Sequence, residues 1–115
     1  MVIPKPGGRV RGSKTGRPIM ALLDLLGRRW ALRILWELRK QPLTFRQLRA
    51  HCDSMSPSVL NQRLAELRET GIVAHDSHSG YCLTTEGRSL LTALAPLADW
   101  ARHWAKTRAR RKAEV

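Results

Sequence analysis

Apolar positions recur at helical spacing in the first third of the chain. After Pro18 they fall at i, i+3, i+4 and i+7, which predicts an amphipathic helix that ends at the break offered by Gly27. A second stripe predicts another helix, which ends before Pro42 because proline cannot continue a helix. The residues of these two stripes are Ile19, Leu22, Leu23 and Leu26, then Ala31, Ile34, Leu35 and Leu38.

The middle of the chain has the residues that begin and end short helices. Thr44 and Gln47 have the spacing of a capping box, so a third helix begins here, with Phe45, Leu48 and Cys52 on one face. Residues 53–55 form a turn, and Ser56 as N-cap with Pro57 behind it starts a fourth helix. This helix runs to about Thr70, where Gly71 offers a left-handed stop.

Beyond residue 71 the apolar period changes to two, which predicts a short hairpin. Its strands are residues 72–75 and 81–83, around a loop at 76–80. Thr84 or Thr85 then caps a last long helix with a wide apolar stripe, in which Pro96 predicts a kink. The stripe is formed by Leu90, Leu94, Leu97, Ala98, Ala101 and Trp104.

Two short helices joined by a tight turn and followed by a hairpin predict a fold that is mainly α with a small β-hairpin wing (α+β), a winged helix-turn-helix. In that geometry the second helix of the pair enters the major groove of DNA and the first helix braces it. Amide side chains on the outer face of the fourth helix suit adenine, and its open first turn suits phosphate. The predicted base or phosphate contacts are Ser56, Pro57, Ser58, Asn61, Gln62 and Ala65.

Contacts to the DNA backbone are expected from residues around the first helix of the motif and from the pair that precedes Trp30. These residues are Arg28, Arg29, Thr44, Arg46 and Arg49. Arg28 and Arg29 fit a surface position as well as a phosphate contact. Arg63 lies towards the predicted core side of its helix and is expected to be structural.

The chain has 115 residues and a formal net charge of +12, and its excess charge lies at the two ends. Residues 1–17, rich in glycine and proline, predict a flexible basic arm that includes Arg9, Arg11 and Lys14. Residues 18–105 form the winged domain, and 106–115 form a basic C-terminal tail. That tail includes Arg108, Arg110, Arg111 and Lys112. Such ends attract polyanions, because each neutralised phosphate releases counterions.

The same composition argues against other classes of protein. No apolar run is long enough for a membrane span, and the N-terminus lacks the apolar stretch of a secretory signal. The two cysteines form no disulfide framework, and the four histidines lack metal-ligand spacing, so we expect neither metal nor cofactor. No phosphate loop or nucleophile motif indicates an enzyme. We expect a cytoplasmic, nucleoid-associated protein that binds double-stranded DNA.

Four blocks of the sequence resemble, in order, the motifs of the HxlR-type winged helix-turn-helix transcriptional regulators, relatives of the MarR group. The match to the recognition helix of that family is close, and the block after the wing is similar to the start of its dimerising helix. The blocks are RPI at 17–19 with LDLLGRRW at 23–30, FRQLR at 45–49, SPSVLNQRLAEL at 56–67 with GIV at 71–73, and LTTEGRSL at 83–90.

The resemblance implies a homodimer that binds a pseudo-palindromic operator, with repression as the usual mode. Helices from both ends of the domain then pack across a two-fold axis, and two exposed tryptophans four residues apart also favour a partner. The predicted interface is formed by Ile19, Leu94, Leu97, Ala101, Trp100 and Trp104.

Two departures from the family are visible. Redox-sensing members carry a cysteine before the opening proline, where this chain has Arg17, so thiol sensing through that site is not supported. The wing tip at 76–80 has no lysine or arginine, so the arms are candidates to replace its DNA contacts. Cys52 is expected in the core, and Cys82 in a wing strand.

Two other functions stay open at this point. A sequence-indifferent architectural DNA-binding protein would rely on the basic arms. A protein-interaction module would explain the short wing without basic residues. A small-molecule effector is also undecided, since the four tryptophans fit a pocket near the dimer interface as well as ordinary core.

Overall fold

The computed structural model describes residues 3–7 and 16–114, which form five helices and one antiparallel hairpin. The fold class predicted from the sequence, α+β with a small wing, is confirmed. In chain order the elements are α1 (Pro18–Leu26), α2 (Ala31–Glu37), α3 (Phe45–His51), α4 (Pro57–Glu69), β1 (Val73–Asp76), β2 (Gly80–Leu83) and α5 (Thr85–Ala113).

The core lies where the predicted apolar stripes of α2, α3 and α4 meet. Their central side chains exclude water almost completely, and each such leucine or isoleucine contributes about 1.5 to 3 kcal/mol to folding through its burial. These residues are Ile34, Leu35, Leu48, Cys52, Leu60, Leu64 and Leu67. The core therefore fixes the orientation of α3 and α4, the pair that carries the candidate site.

The first helix is apolar on more than one side. Ala21 and Leu25 are buried in the domain, while Ile19 and Leu23 remain more than half exposed. A helix that is apolar all round requires a second apolar neighbour to cover its outer side. The outer side of α1 is therefore a surface that the single domain does not use.

Side-chain caps define where α3 and α5 begin. The Thr44 hydroxyl accepts the Gln47 N–H at 3.2 Å, and Gln47 Oε1 accepts the Thr44 N–H at 2.9 Å, which confirms the capping box. At α5 the cap is Thr84, whose hydroxyl accepts the Gly87 N–H at 3.0 Å and donates to the Gly71 carbonyl at 2.6 Å. This second bond ties the start of α5 to the end of α4.

The hairpin lies one residue later than predicted at its first strand and has a shorter loop, 77–79. Val73 pairs with Leu83, and Tyr81 also exchanges two backbone hydrogen bonds with Leu43, at 2.7 and 3.0 Å. Gly80 has φ of 97°, and a Cβ there would collide with the Leu43 backbone. Glycine at this position therefore allows the wing to attach to the segment that leads into α3.

The last helix is longer than the apolar stripe predicts. It continues through Pro96, and the segment 106–113, which we expected as a tail, forms its final two turns. Its first turns pack on the domain, where Gly87 touches the Ile72 backbone. From Asp99 onward every described residue is exposed. None of the helices in the described ranges is long and apolar enough to cross a membrane.

The N-terminal segment meets the domain at one point. Lys5 Nζ lies 2.8 Å from Glu69 Oε1 at the end of α4, and the Gly7 N–H donates to the Gly16 carbonyl at 2.9 Å. Arg9, Arg11 and Lys14, the predicted groove-binding cations of the arm, lie outside the described residues.

Candidate nucleic-acid interface

The turn between α3 and α4 is built from two consecutive left-handed residues, Asp53 at φ 58° and Ser54 at φ 54°. This backbone conformation is unfavourable for residues with a side chain. Arg49 compensates, because its guanidinium donates to the Met55 carbonyl at 2.6 Å and to the Ser54 carbonyl at 3.3 Å. We predicted a phosphate contact for Arg49, but the structure places its guanidinium on the turn, where it orients α4.

The two faces of α4 differ as predicted. Leu60, Leu64 and Leu67 are buried, whereas the opposite face is exposed. The exposed residues are Ser58, Asn61, Gln62 and Ala65, together with Ser56 and Pro57 at the start of the helix. The Ser56 hydroxyl lies 3.5 Å from the Val59 N–H and 3.0 Å from the Ser58 hydroxyl. The N-terminal half of α4 thus presents small and amide side chains from a rigid helix.

A helix of this kind fits the major groove of B-DNA, which is wide enough to admit one. Asn and Gln side chains can bond an adenine edge with both a donor and an acceptor, and serine can bond a base or a phosphate. Since Ala65 is small, the neighbouring amides can approach a groove floor closely.

A buried ion network attaches the opposite flank of α4 to the junction of α1 and α2. Glu66 is 4% exposed; its carboxylate accepts from the Arg28 guanidinium through one oxygen and from Arg63 Nη1, at 3.0 Å, through the other. Arg28 also reaches Asp24 at 3.4 Å, and Arg63 Nε donates to the Arg29 carbonyl at 2.8 Å. Each of these four charged side chains is largely shielded from water.

This network changes the role expected for Arg28. We predicted a phosphate contact or a free surface position, and the structure shows a guanidinium enclosed between two carboxylates. Arg63 has the structural role that its position predicted. Sequence reasoning missed Glu66; the only signal was that Arg63 and Glu66 are three residues apart on the flank of the helix.

The remaining backbone candidates are differently placed. Thr44 is exposed, with its hydroxyl used by the cap of α3, and Arg46 is exposed one turn into the same helix. Arg29 is exposed, with its guanidinium 5.9 Å from the centre of the Trp30 ring. The basic residues near the end of α5, Arg108, Arg110, Arg111 and Lys112, are all exposed. Cations at a helix C-terminus are also favoured by the helix dipole.

The predicted dimer residues lie mostly on open surface. Ile19, Leu97 and Ala101 are exposed and Leu94 is half-buried, while Trp100 and Trp104 are 60% and 53% exposed. The two tryptophan rings stack with centroids 5.5 Å apart. They extend from the part of α5 that leaves the domain, so they are not core residues of a single chain.

The two cysteines differ in accessibility. Cys52 is fully buried, and burial raises the pKa of its thiol to about 11, whereas Cys82 is partly exposed. A thiol must ionise to react, and a raised pKa leaves about one molecule in a thousand ionised near pH 8. Among the described residues, no group of three metal-ligating side chains converges.

We therefore expect one fast thiol in the folded chain, that of Cys82, and a second only after unfolding. Titration with a chromogenic disulfide reagent in buffer, then in denaturant, measures both. Cys82→Ser is expected to remove the fast phase, and Cys52→Ala to leave it intact. A fast phase that survives Cys82→Ser would contradict the assignment of Cys52 as an inert core residue.

Comparison with known proteins supports the same reading of the fold and the site. The model of the family described as HxlR-like helix-turn-helix matches residues 25–109. The HTH-type transcriptional regulator YvaP of Bacillus subtilis (strain 168) is 31% identical over 88 residues, which are 71% of this chain and 82% of that protein.

Solved structures resemble this one over most of their length. A regulator of the MarR family from Enterococcus faecalis V583 aligns with a TM-score of 0.71 and 27% identity, over 89% of this chain and 98% of that one. Quinone-bound YodB from B. subtilis aligns with a TM-score of 0.68 and 28% identity, over 74% of this chain and 94% of that one.

Proposed function

The chain belongs to the HxlR-like helix-turn-helix family and is a DNA-binding transcriptional regulator. From this we propose that it binds a pseudo-palindromic operator as a homodimer and represses transcription. Each protomer inserts α4 into one major groove, and the half-sites lie about one helical turn, roughly 34 Å, apart. A protein of this kind acts at the nucleoid, so we place it in the cytoplasm.

The exposed face of α4 carries this proposal. Ser58, Asn61, Gln62 and Ala65 extend from a helix whose position is fixed by the core, by the Arg49 bonds to the turn and by the Glu66 network. Since a rigid first contact surface reduces the entropy lost on binding, these three supports favour specific readout over loose attachment. Ser56 and Pro57 complete the site at the start of the helix.

Contacts to phosphate follow from the exposed cations around this face. Arg29 and Arg46 are free to reach the DNA backbone on either side of α4, and the Thr44 hydroxyl lies at the start of α3. Arg28 and Arg49 are left out because their guanidinium groups hold the protein together. The wing tip, 77–79, carries no lysine or arginine, so the basic residues of both chain ends supply the remaining charge.

The dimer follows from the uncovered apolar faces of α1 and α5. Ile19, Leu97 and the tryptophan pair stay exposed in one protomer, and a two-fold contact between such faces would remove them from water. Two copies of α4 related by a two-fold axis read an inverted repeat, which is why we propose a palindromic operator. Repression is carried over from the family resemblance.

Selection of random duplex DNA by the full chain at roughly physiological salt, followed by sequencing, tests the proposal. We expect an enriched inverted repeat. Asn61→Ala should weaken binding to that sequence by about tenfold to a hundredfold, the worth of one bidentate base contact, and change binding to scrambled DNA little. Gln41→Ala, an exposed amide outside α3 and α4, is the matched control and should have no effect.

A second outcome would favour the architectural alternative. The exposed basic end of α5 supports it, since backbone binding needs only such charge. If no sequence is enriched although DNA is retained in a salt-dependent way, and Asn61→Ala binds as the wild type does, the specific-regulator proposal is wrong. The basic ends would then carry the function.

A further inference from the structure

A groove of about 880 Å³ runs between α2 and α5, away from the α4 face. Its floor is apolar and is formed by Leu32, Trp36, Leu91, Leu94 and Ala98. Leu32 and Trp36 are large side chains that stay 45% exposed here, so the groove is open to solvent. The volume is in the range of pockets that hold small organic molecules.

The groove has a rim of positive charge. Arg33, Arg39, Lys40 and Arg88 line it, and none of its described lining residues is acidic. Arg33 is already paired with Glu37, at 2.8 Å. The Arg39 guanidinium lies 3.8 Å from the centre of the Trp36 ring. Lys40 and Arg88 are exposed and form no ion pair with any residue that the structure describes, so they remain available to an incoming anion.

The groove faces away from the side of α5 that we propose for the dimer. Leu91 and Trp100 are nine residues apart, as are Ala95 and Trp104, and nine residues at 3.6 per turn correspond to a rotation of about 180°. Leu91 and Ala95 line the groove, while the two tryptophans lie on the opposite side of the helix. A two-fold contact through the tryptophans therefore leaves the groove open.

We propose that this groove binds an amphipathic organic acid, an aromatic or alkyl carboxylate. Its apolar body lies on the floor beside Trp36 and Leu91, and its carboxylate pairs with Lys40 and Arg88. Charge complementarity selects this class: a neutral apolar molecule leaves the two cations without a partner, and a polyphosphate gains nothing from the apolar floor. Binding itself does not depend on the proposed DNA-binding function.

The position of the groove links such a ligand to the DNA-binding unit. The same α2 that forms one wall is bonded to the end of α3, because Arg33 donates to the His51 carbonyl at 2.8 Å and Glu37 lies 3.3 Å from His51 Nδ1. A bound acid therefore touches the helix that supports the helix-turn-helix. This makes the groove the place for an effector.

The test is a titration of the full chain, without DNA, with 2-naphthoate and with its uncharged analogue 2-naphthamide, followed by calorimetry. We expect naphthoate to bind more tightly than the amide. Lys40→Gln and Arg88→Gln should each weaken naphthoate binding by about fivefold, the effect of one partly exposed charge contact, and leave the amide unchanged. Lys106→Gln, an exposed cation of α5 outside the groove, is the matched control for general charge effects.

Ala95→Trp fills the groove and should abolish binding of both compounds, with far-UV circular dichroism and the melting temperature as the check that the variant folds. Equal affinity for acid and amide, or equal weakening by Lys106→Gln, would overturn the proposal. So would an absence of binding to the wild type, and dissociation of a dimer by Ala95→Trp would show that a second copy occupies the groove. Since no DNA is present, none of these outcomes depends on operator recognition, which the selection experiment tests separately.

Discussion

Glu66→Gln is expected to lower the free energy of unfolding by about 2 to 3 kcal/mol, the largest stability loss we expect from any single change of an α4 side chain that keeps its size. The carboxylate stands between Arg28 and Arg63, and its removal leaves two shielded guanidinium groups facing a neutral amide. We reduce the value for a fully buried pair because both arginines keep some contact with water.

Thermal and urea unfolding followed by circular dichroism measure this loss. For a chain of 115 residues it corresponds to a melting temperature lower by about 8 to 15 °C. Glu69→Gln is the control: the same substitution in the same helix removes an exposed pair with Lys5 and should cost no more than about 0.5 kcal/mol. Similar losses in the two variants would show that burial of the Glu66 network contributes nothing.

The position of each helix was predictable because local signals mark helix ends independently of the rest of the fold. The Thr44 and Gln47 cap acts within four residues, and Pro57 starts α4 whatever surrounds it. The same holds for the outer face of α4: once the leucine stripe is buried, Ser58 and Asn61 point outward from helix geometry alone.

The roles of the arginines were not predictable in this way, because they depend on partners distant in sequence. Arg28 and Glu66 are 38 residues apart, and only the packed fold brings them together. An arginine near a helix-turn-helix matches phosphate contact and structural pairing equally well by composition. The structure separates the two groups: Arg28 and Arg49 bind the protein itself, whereas Arg29 and Arg46 are exposed.

The end of α5 was underestimated for a different reason. The apolar stripe stops at Trp104, and the expected boundary at 105 follows that stripe, yet the helix continues to Ala113. Alanine, lysine and arginine have high intrinsic helix propensity, so a polar helix continues without an apolar face to signal it. The pattern of apolar positions therefore marks where a helix packs, not where it ends.

The double substitution Trp100→Ala with Trp104→Ala is expected to raise the dissociation constant of the proposed dimer by at least about a thousandfold. Four tryptophans meet in a two-fold contact of this face, and aromatic anchors at the centre of an interface commonly cost 2 kcal/mol or more each when truncated. Both residues lie beyond the part of α5 that packs on its own domain. The variant chain should thus keep its helical circular dichroism.

Sedimentation velocity of wild type and variant across micromolar concentrations measures this change. Trp36→Ala is the matched control, since Trp36 is exposed to a similar degree but lines the α2–α5 groove. We expect the control to stay dimeric and the double variant to sediment as a monomer that binds a single half-site, with operator affinity reduced accordingly. A wild-type chain that is monomeric at about 10 µM, or a double variant that stays dimeric, would contradict the proposed interface, since an association that needs these faces is governed by mass action.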